Sequence, residues 1–579
     1  MDYQERRAAW LNSTWVSLAD KEYIKKANDD ELKEMFSANL HFGTAGMRAL
    51  LGPGCSRLNL LTVRRATIGV GKFLLATYGE EAKTRGVAIS FDNRHYSKEF
   101  RDIASKVLTE MGISVYTFND PHPTPELSYT VRIKHCVGGL MITASHNPKQ
   151  YNGYKFYDEK GCQGVYEIID GLIKTIDSLP DELNVSYQVV ANKGTITYLD
   201  EDKKYDEDYV NKEVSTSLYN HEFQGTRLTK IVFSPECGCD CIVGPMALRK
   251  AGYTVTTVPD QDFFDPDFKG TENPNPETDG AYKGAIKEME KLNGKGEKYS
   301  LILVTDPDAD RCGIAFLNRF GKIERFTGNQ TGALLIDFVL GTLKRRDALP
   351  ANGVVCNTFV TGGQGAKAAS LYNIKVRTTA TGFKYIGNMA DQIEASGQKY
   401  LFGYEESYGY LLADFVRDKD SLQSIIAIAD MVEYYLREGK TLDVAYADLS
   451  KKTGLFFNTQ VSVAFLGSDS LAMMNEQITK LREKPFKNLA GKEVKTLFDY
   501  EKRMVYDCLK GTSTKLVDPD IDVTNCLRFD FVGGGFLAIR PSGTEPKVKF
   551  YYEVVNQKDA EAQAYVDKAT AELKQMMGL

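Results

Sequence analysis

Short apolar runs that alternate with amphipathic stretches of helical length most constrain how this chain can fold. Val87-Ala-Ile-Ser-Phe91 is followed by a helix-like stretch from Ser97 to Met111, then by the apolar run Ile113 to Phe118 and another at Val137 to Thr143. The pattern restarts at Thr229 to Ser234. It continues through a helical stretch from Val243 to Ala251, the run Thr254 to Val258 and a helix near Asp279 to Leu292, and reaches Leu301-Ile-Leu-Val-Thr305. A third round runs from about Gly328 through Val354 to Cys356, Ile374 to Thr378 and Tyr400 to Phe402, and closes in a helical stretch near Ser421 to Glu438. This alternation predicts α/β architecture with largely parallel strands. The three rounds look like divergent repeats, each presenting a polar loop after an apolar strand.

Beyond about residue 455 the texture changes. Strand runs at Phe456 to Phe465, Leu527 to Val532, Phe536 to Ile539 and Val548 to Val554, with helices near Ser470 to Arg482 and Lys558 to Met576, predict a C-terminal α+β module. A chain of 579 residues exceeds what one hydrophobic core organises, and the length suggests about three to five domains. The charged and polar stretches around 178–215 and 444–455 read as boundaries. The resulting divisions are 1–210, 211–325, 326–455 and 456–579.

The formal net charge of -6 argues against wholesale attraction to nucleic acid or an anionic membrane, so an anionic ligand must meet locally gathered Lys and Arg. The N-terminus has no apolar signal core, and no stretch approaches the ~20 apolar residues of a membrane span. A soluble cytoplasmic protein is expected. The 10 cysteines are sparse and irregular, which fits reduced thiols. Cys237-Gly-Cys-Asp-Cys241 has one-residue spacers and no nearby histidine, and reads as a loop after a strand instead of a zinc site.

Two of the polar loops carry chemistry. Thr143-Ala-Ser-His-Asn-Pro148 places Ser145 at a strand's carboxyl end, where open α/β sheets commonly hold ligands. Asp306-Pro-Asp-Ala-Asp-Arg311 sets three carboxylates at alternating positions, which in an extended segment project to one side and can share a hard cation such as Mg²⁺. Packing them without a counter-ion would cost several kcal/mol. A serine and such a cluster together suggest phosphoryl transfer through a phosphoserine, with a phosphate oxygen on Ser145 completing the coordination of Asp306, Asp308 and Asp310. His146 and Asn147 are candidates for orienting the serine. Lys155 and Arg48 are candidates for proton transfer or phosphate positioning, and Arg311 for charge pairing or phosphate binding.

Gly403-Tyr-Glu-Glu-Ser-Tyr-Gly409 offers carboxylates and a hydroxyl suited to vicinal sugar hydroxyls. Arg540-Pro-Ser-Gly-Thr-Glu-Pro-Lys547 combines a guanidinium, hydroxyls, a glycine that permits close backbone approach and a lysine, the makings of a phosphate cradle. A Ser/His/Asp hydrolase is a weaker reading of Ser145, because no G-x-S-x-G elbow surrounds it.

These four segments, in this order, resemble the α-D-phosphohexomutase superfamily, which includes phosphoglucomutases, phosphomannomutases and a phosphopentomutase-like branch. The resemblance spans essentially the whole chain. It implies phosphorylation of Ser145, Mg²⁺ on Asp306, Asp308 and Asp310, sugar hydroxyls on Glu405 and Ser407, and a non-transferring phosphate on Arg540, Ser542, Gly543 and Thr544, with Lys547 beside them. Thr381-Gly-Phe-Lys384 resembles a further sugar-contacting loop, bringing in Gly382 and Phe383, and Arg417-Asp-Lys-Asp420 a segment whose lysine, Lys419, approaches substrate. Gly43-Thr-Ala-Gly-Met-Arg48 contributes Thr44 and Arg48 as candidates. The implied fold is three mixed α/β/α domains plus a C-terminal α+β domain around a central active-site cleft. Two positions depart from the family pattern: Pro307 stands where many members carry glycine, and Phe415 occupies a stretch where some carry histidine.

The implied reaction is a relay. Phosphoserine 145 gives its phosphate to a sugar monophosphate, the bound bisphosphate reorients, and its other phosphate returns to the serine. The Glu-Glu-Ser sugar loop resembles glucose-directed members, implying interconversion of glucose 1-phosphate and glucose 6-phosphate with glucose 1,6-bisphosphate as intermediate and activator. Mannose or pentose phosphates are alternatives by the same mechanism. A metal-dependent sugar phosphatase and a noncatalytic sugar-phosphate sensor are alternatives of other classes. The expected partners are small-molecule sugar phosphates, with no nucleic acid and no membrane, for a monomer or homodimer.

Overall fold

The computed structural model describes residues 2–43, 45–219, 225–465, 470–542 and 546–579, and only the backbone of Tyr166 and Glu167. The chain divides into two compact units. The first comprises Met1–Phe326, Ile386–Ser396 and Ser407–Thr441; the second comprises Thr327–Tyr385, Gly397–Glu406 and Leu442–Leu579.

In the first unit, strands Val87–Phe91, Val115–Thr117 and Gly138–Ile142 pair in parallel within a six-stranded sheet. Their apolar runs follow from burial on both faces. Val87, Ile89, Phe91, Leu140 and Ile142 pack with Val63, Val70 and Leu74 of helix Leu60–Tyr78 and with Phe100 and Leu108 of helix Ser97–Glu110. Ala88 and Met141 point the other way, onto Leu127 and Val131 of helix Thr124–Ile133. Each large apolar side chain buried this way contributes roughly 1.5–3 kcal/mol before entropy is counted.

The sheet is mixed, not simply parallel. Tyr151–Asp158 runs antiparallel to Gly138–Ile142, and Met47–Leu50 runs antiparallel to Tyr151–Asp158. This register sets Lys155 opposite Met141 and Arg48 opposite Gly153. Gly153 has no side-chain alternative, because a Cβ there would stand 2.3 Å from Thr143 O and 2.8 Å from Met47 O.

A second, five-stranded sheet in the same unit places Lys230–Ser234 parallel to both Thr254–Thr257 and Leu301–Thr305. Cys312–Leu317 then returns antiparallel to Leu301–Thr305, with Cys312 opposite Thr305. The loop between them is 306–311.

The polar stretches read as boundaries carry secondary structure. Residues 178–215 include an edge strand, Ile196–Tyr198, and the helix Lys204–Val214. Residues 444–455 lie mostly in the helix Leu442–Thr453, which buries only Leu442, Ala445, Leu449 and Ser450. A helix with one narrow buried stripe is polar enough to read as a linker. Three N-terminal helices, Tyr3–Asn12, Leu18–Lys26 and Asp29–Phe36, were not anticipated either. Asp2, Ser17 and Asn28 cap them, and they share a small core of Trp10, Ile24, Met35 and Phe36.

In the second unit, Gly353–Thr358 pairs in parallel with Lys375–Thr379 and with Lys399–Glu405. An eight-stranded C-terminal sheet is built from antiparallel pairs. The alternation expected of a sheet covered on one face is present in Leu527–Phe531, where Leu527, Phe529 and Phe531 join Met474 and Ile478 of helix Ser470–Glu483 and Val566 and Leu573 of helix Asp559–Met576. Among the described residues, no helix is long and apolar enough to cross a membrane.

Candidate active site

Ser145 follows directly on the strand Gly138–Ile142 and is 4% exposed. Its backbone is left-handed, with φ of 53°, a conformation that costs a non-glycine residue energy and must be held by its surroundings. Thr143 Oγ1 accepts from Ser145 N at 2.8 Å and donates to Asp92 Oδ2 at 2.6 Å. Asp92 in turn pairs with Arg94 Nε at 3.1 Å, both side chains wholly buried. The Arg94 guanidinium donates to four carbonyls of the serine loop: Ser145 O at 2.5 Å, Asn147 O at 2.6 Å, and Pro148 O and Tyr151 O at 3.1 Å each. Asp92 and Arg94 were missed from sequence, although they occupy the polar loop after Val87–Phe91, the position that delivers Ser145 and the aspartates elsewhere.

Asp306, Asp308 and Asp310 do not lie along an extended segment as their spacing suggested. They sit in the hairpin loop between Leu301–Thr305 and Cys312–Leu317, where Ala309 N donates to Asp306 O at 2.8 Å and Ala309 takes a φ of 56°. Asp306 Oδ1 accepts from the backbone of Asp310 and Arg311 at 3.1 and 2.9 Å. The turn gathers the three carboxylates, each at most 1% exposed, so that their ligand atoms lie within 4.8 Å of one another. Ser145 Oγ donates to Asp306 Oδ2 at 2.9 Å, which brings the two sequence motifs together.

The cysteine segment supports this loop. Cys239 N donates to Pro307 O at 2.8 Å, and a Cβ on Gly238 would stand 2.4 Å from Pro307 Cα. All ten cysteines are free thiols, and the metal-capable clusters among the described residues contain none of them. Thr124 N donates to Asp308 O at 2.9 Å and Thr124 Oγ1 to Asp308 Oδ2 at 3.3 Å.

Cations surround the carboxylates. Lys155 Nζ lies 3.1 Å from Asp308 Oδ2, Lys419 Nζ 2.6 Å from Asp310 Oδ2, and Arg311 pairs with Glu277 at 2.7 Å while its Nε stands 3.8 Å from Asp310 Oδ1. Burial and the neighbouring carboxylates Asp310 and Asp308 push Asp306 well above the carboxylate range, and burial with Asp308 pushes Asp310 up. Burial alone would raise Asp308 too, but Lys155 and Lys419 hold it below that range. Asp308 Oδ1 and Asp310 Oδ1 are buried without a hydrogen-bond partner. Two orphaned carboxylate oxygens beside Asp306 and Ser145 form an all-oxygen donor set that fits Mg²⁺.

His146 Nδ1 is 3.1 Å from Ser145 Oγ. Burial, Arg311 and Arg48 hold this imidazole well below its usual range, so it is neutral near pH 7. Because Ser145 Oγ already donates to Asp306, the compatible tautomer carries its proton on Nδ1 and donates to the serine. Arg48 Nη1 donates to Asn147 Oδ1 at 3.0 Å from a solvent-exposed position.

Ser407 opens a segment of the first unit, next to Tyr408, whose carbonyl accepts from Cys312 N at 3.0 Å. Glu405, Gly382, Phe383, Arg540, Ser542 and Lys547 belong to the second unit. There Glu405 ends the strand Lys399–Glu405, and Glu406, which was not singled out from sequence, accepts from Thr361 Oγ1 at 3.1 Å. Arg540 lies in the strand Phe536–Pro541, and Ser542 N donates to Lys547 O at 2.8 Å to close the hairpin. Although burial alone would lower it, the neighbouring Tyr551 and Glu406 hold the Arg540 guanidinium above its usual pKa. Thr44, Gly543 and Thr544 lie outside the described residues.

The first unit thus assembles a serine, a carboxylate cluster and cations in a geometry suited to metal-assisted phosphoryl transfer. Residues 39–181, 207–319 and 327–453 match the alpha/beta/alpha domains I, II and III of phosphoglucomutase/phosphomannomutase, and 484–569 match its C-terminal domain. A phosphoglucomutase of Staphylococcus haemolyticus is 32% identical over 549 residues, spanning 93% of this chain and 96% of its own. Among solved structures, the phosphoglucomutase parafusin from Paramecium in its open form aligns with a TM-score of 0.63 at 18% identity, covering 94% of this chain and 96% of that one. A phosphoglucomutase/phosphomannomutase family protein from Burkholderia thailandensis aligns with a TM-score of 0.63 at 17% identity, covering 92% and 96%. The chain belongs to the phosphoglucomutase/phosphomannomutase family and is a mutase of the isomerase class.

Proposed function

We propose that this protein interconverts glucose 1-phosphate and glucose 6-phosphate through a phosphoserine at Ser145 and a bound glucose 1,6-bisphosphate. The observation that carries the reading is the 2.9 Å bond from Ser145 Oγ to Asp306, within a buried triad whose Asp308 and Asp310 each keep one carboxylate oxygen without a hydrogen bond. The 32% identity to a phosphoglucomutase over nearly the whole chain supports glucose as the sugar.

Asp306, Asp308 and Asp310 would hold Mg²⁺ together with a phosphate oxygen on Ser145. When bound, the ion supplies Lewis-acid activation of phosphorus and stabilisation of the serine oxygen as leaving group. Lys155 and Lys419 pair with Asp308 and Asp310 and hold them in place. In the forward half-reaction the sugar hydroxyl attacks phosphorus and the Ser145 Oγ–P bond breaks; the hydroxyl's proton ends on Ser145 Oγ, and the His146 Nδ1–H hydrogen bond stabilises that oxygen as it departs. Arg94 and Thr143 hold the loop so that this oxygen keeps its place through both halves of the cycle. Arg48, Thr44 and Arg311 would steer phosphate near the serine. Glu405, Ser407, Gly382 and Phe383 would bind the sugar, and Arg540, Ser542, Gly543, Thr544 and Lys547 the phosphate that does not transfer. In this reading domain divisions fall after residues 210, 325 and 455, and the protein works in the cytoplasm as a monomer or homodimer.

The test is positional isomerisation of glucose, mannose and ribose 1-phosphates by the purified protein with Mg²⁺ and trace glucose 1,6-bisphosphate. Preferred turnover of glucose 1-phosphate is the expected result. A mannose or ribose preference would overturn the choice of sugar, and release of inorganic phosphate without isomer would overturn the mutase reading in favour of a phosphatase.

A further inference from the structure

A second buried cluster in the first unit has no part in the chemistry above. His122 precedes the helix Thr124–Ile133, Glu126 lies in its first turn, and Asp206 lies in the first turn of the helix Lys204–Val214. The three are buried, and each offers a ligand atom within 4.8 Å of the others. Glu126 is 0% exposed, and neither of its carboxylate oxygens has a hydrogen-bond partner.

The histidine is oriented from behind. Its Nδ1 lies 2.8 Å from Asp120 O and therefore donates, while its Nε2 lies 3.2 Å from Asp206 Oδ1. A neutral ring held this way turns the Nε2 lone pair on a carboxylate, which is repulsive unless positive charge stands between them. No lysine or arginine pairs with any of the three among the described residues. Protons can serve: burial pushes Glu126 up to about 8, and Glu126 and Asp206 lift His122 to about 9 although burial alone would lower it. A divalent cation would satisfy all three side chains together.

A backbone carbonyl behind Nδ1 is a common way to fix a metal-ligating imidazole. One imidazole with two carboxylates suits a transition ion better than Mg²⁺, which prefers oxygen donors alone. We propose that His122, Glu126 and Asp206 form a structural site for a divalent transition metal, separate from the Asp306–Asp310 loop. Such an ion would tie the helix Lys204–Val214 to the start of the helix Thr124–Ile133, whose Thr124 supports Asp308.

The probe is Co²⁺. Chelator-stripped full-length protein is dialysed against micromolar Co²⁺ in millimolar Mg²⁺, which occupies the all-oxygen site, and bound metal is measured by elemental analysis and visible absorption. Wild type should retain about one Co²⁺ per chain with visible bands and melt at a higher temperature than the stripped protein. His122→Gln and Asp206→Asn, with unchanged far-UV circular dichroism, should bind at least about tenfold more weakly, while Asp308→Asn should retain the ion. Wild-type protein without stoichiometric Co²⁺ would overturn the proposal whether or not a variant folds. So would Co²⁺ retained by both cluster variants, or lost only in Asp308→Asn.

Discussion

The serine loop of the first unit and the strands that carry Arg540 and Lys547 in the second are positioned in different ways. Ser145 is held at a left-handed position by Thr143, Asp92 and four carbonyl bonds from Arg94, and its hydroxyl is aimed at Asp306. The strands that carry Arg540 and Lys547 are positioned by register, Arg540 opposite Lys549 and Pro541 opposite Val548, and Ser542 N donates to Lys547 O. Ser145 is fixed by side chains that reach between elements, whereas the strands that carry Arg540 and Lys547 are aligned by backbone pairing. Damage to the first should therefore fall on kcat and damage to the second on KM.

The largest effect should come from Ser145→Ala. Isomerisation should fall on the order of a thousandfold or more with unchanged circular dichroism, because Ser145 is the nucleophile this reading assigns to carry the phosphate. Arg94→Lys keeps a charge but loses the planar fork that spans several carbonyls. It should lower kcat roughly ten- to a hundredfold with little change in KM, as expected of a small displacement at the reacting atoms; steady-state kinetics distinguishes this from a KM effect, which would break the comparison. Arg540→Ala should do the reverse, raising KM roughly tenfold or more while kcat changes severalfold at most.

The smallest effect concerns stability. Glu236, wholly buried beside the cysteine segment that braces Pro307, is pushed by burial from 4.5 to about 8. The folded state therefore holds its proton more tightly than the unfolded chain. Its contribution is fully present below pH 4.5 and is lost as pH rises to about 8. Glu236→Gln, which mimics the protonated acid, should match wild type near pH 5 and be more stable by roughly 2–4 kcal/mol near pH 8. Melting curves across that range would show the gap opening with pH; a constant gap would contradict it.

The strands were legible because Val87–Phe91, Gly138–Ile142 and Leu301–Thr305 are buried on both faces and leave unbroken apolar runs. The four motifs were legible in order and company. The shape of the carboxylate loop was not, since alternating aspartates read as a strand, while Pro307 and the left-handed Ala309 fold them into a hairpin turn. Asp92 and Arg94 were passed over because an acid and an arginine in a short polar loop look like surface; their meaning lies in contacts with residues about fifty positions away. The helix Lys204–Val214 was hidden for a related reason, since the residues it buries include Asp206 and Glu213, which read as solvent-facing.

The central claim is that phosphate passes through Ser145. The direct measurement is to incubate the protein with Mg²⁺ and phosphorus-labelled glucose 1,6-bisphosphate, locate the label by peptide mass spectrometry, and then chase it with unlabelled glucose 1-phosphate. The account predicts close to one label per chain on Ser145, transferred to sugar at least as fast as turnover. Isomerisation without labelled Ser145, or a label that the sugar phosphate does not remove within the time of turnover, would contradict it.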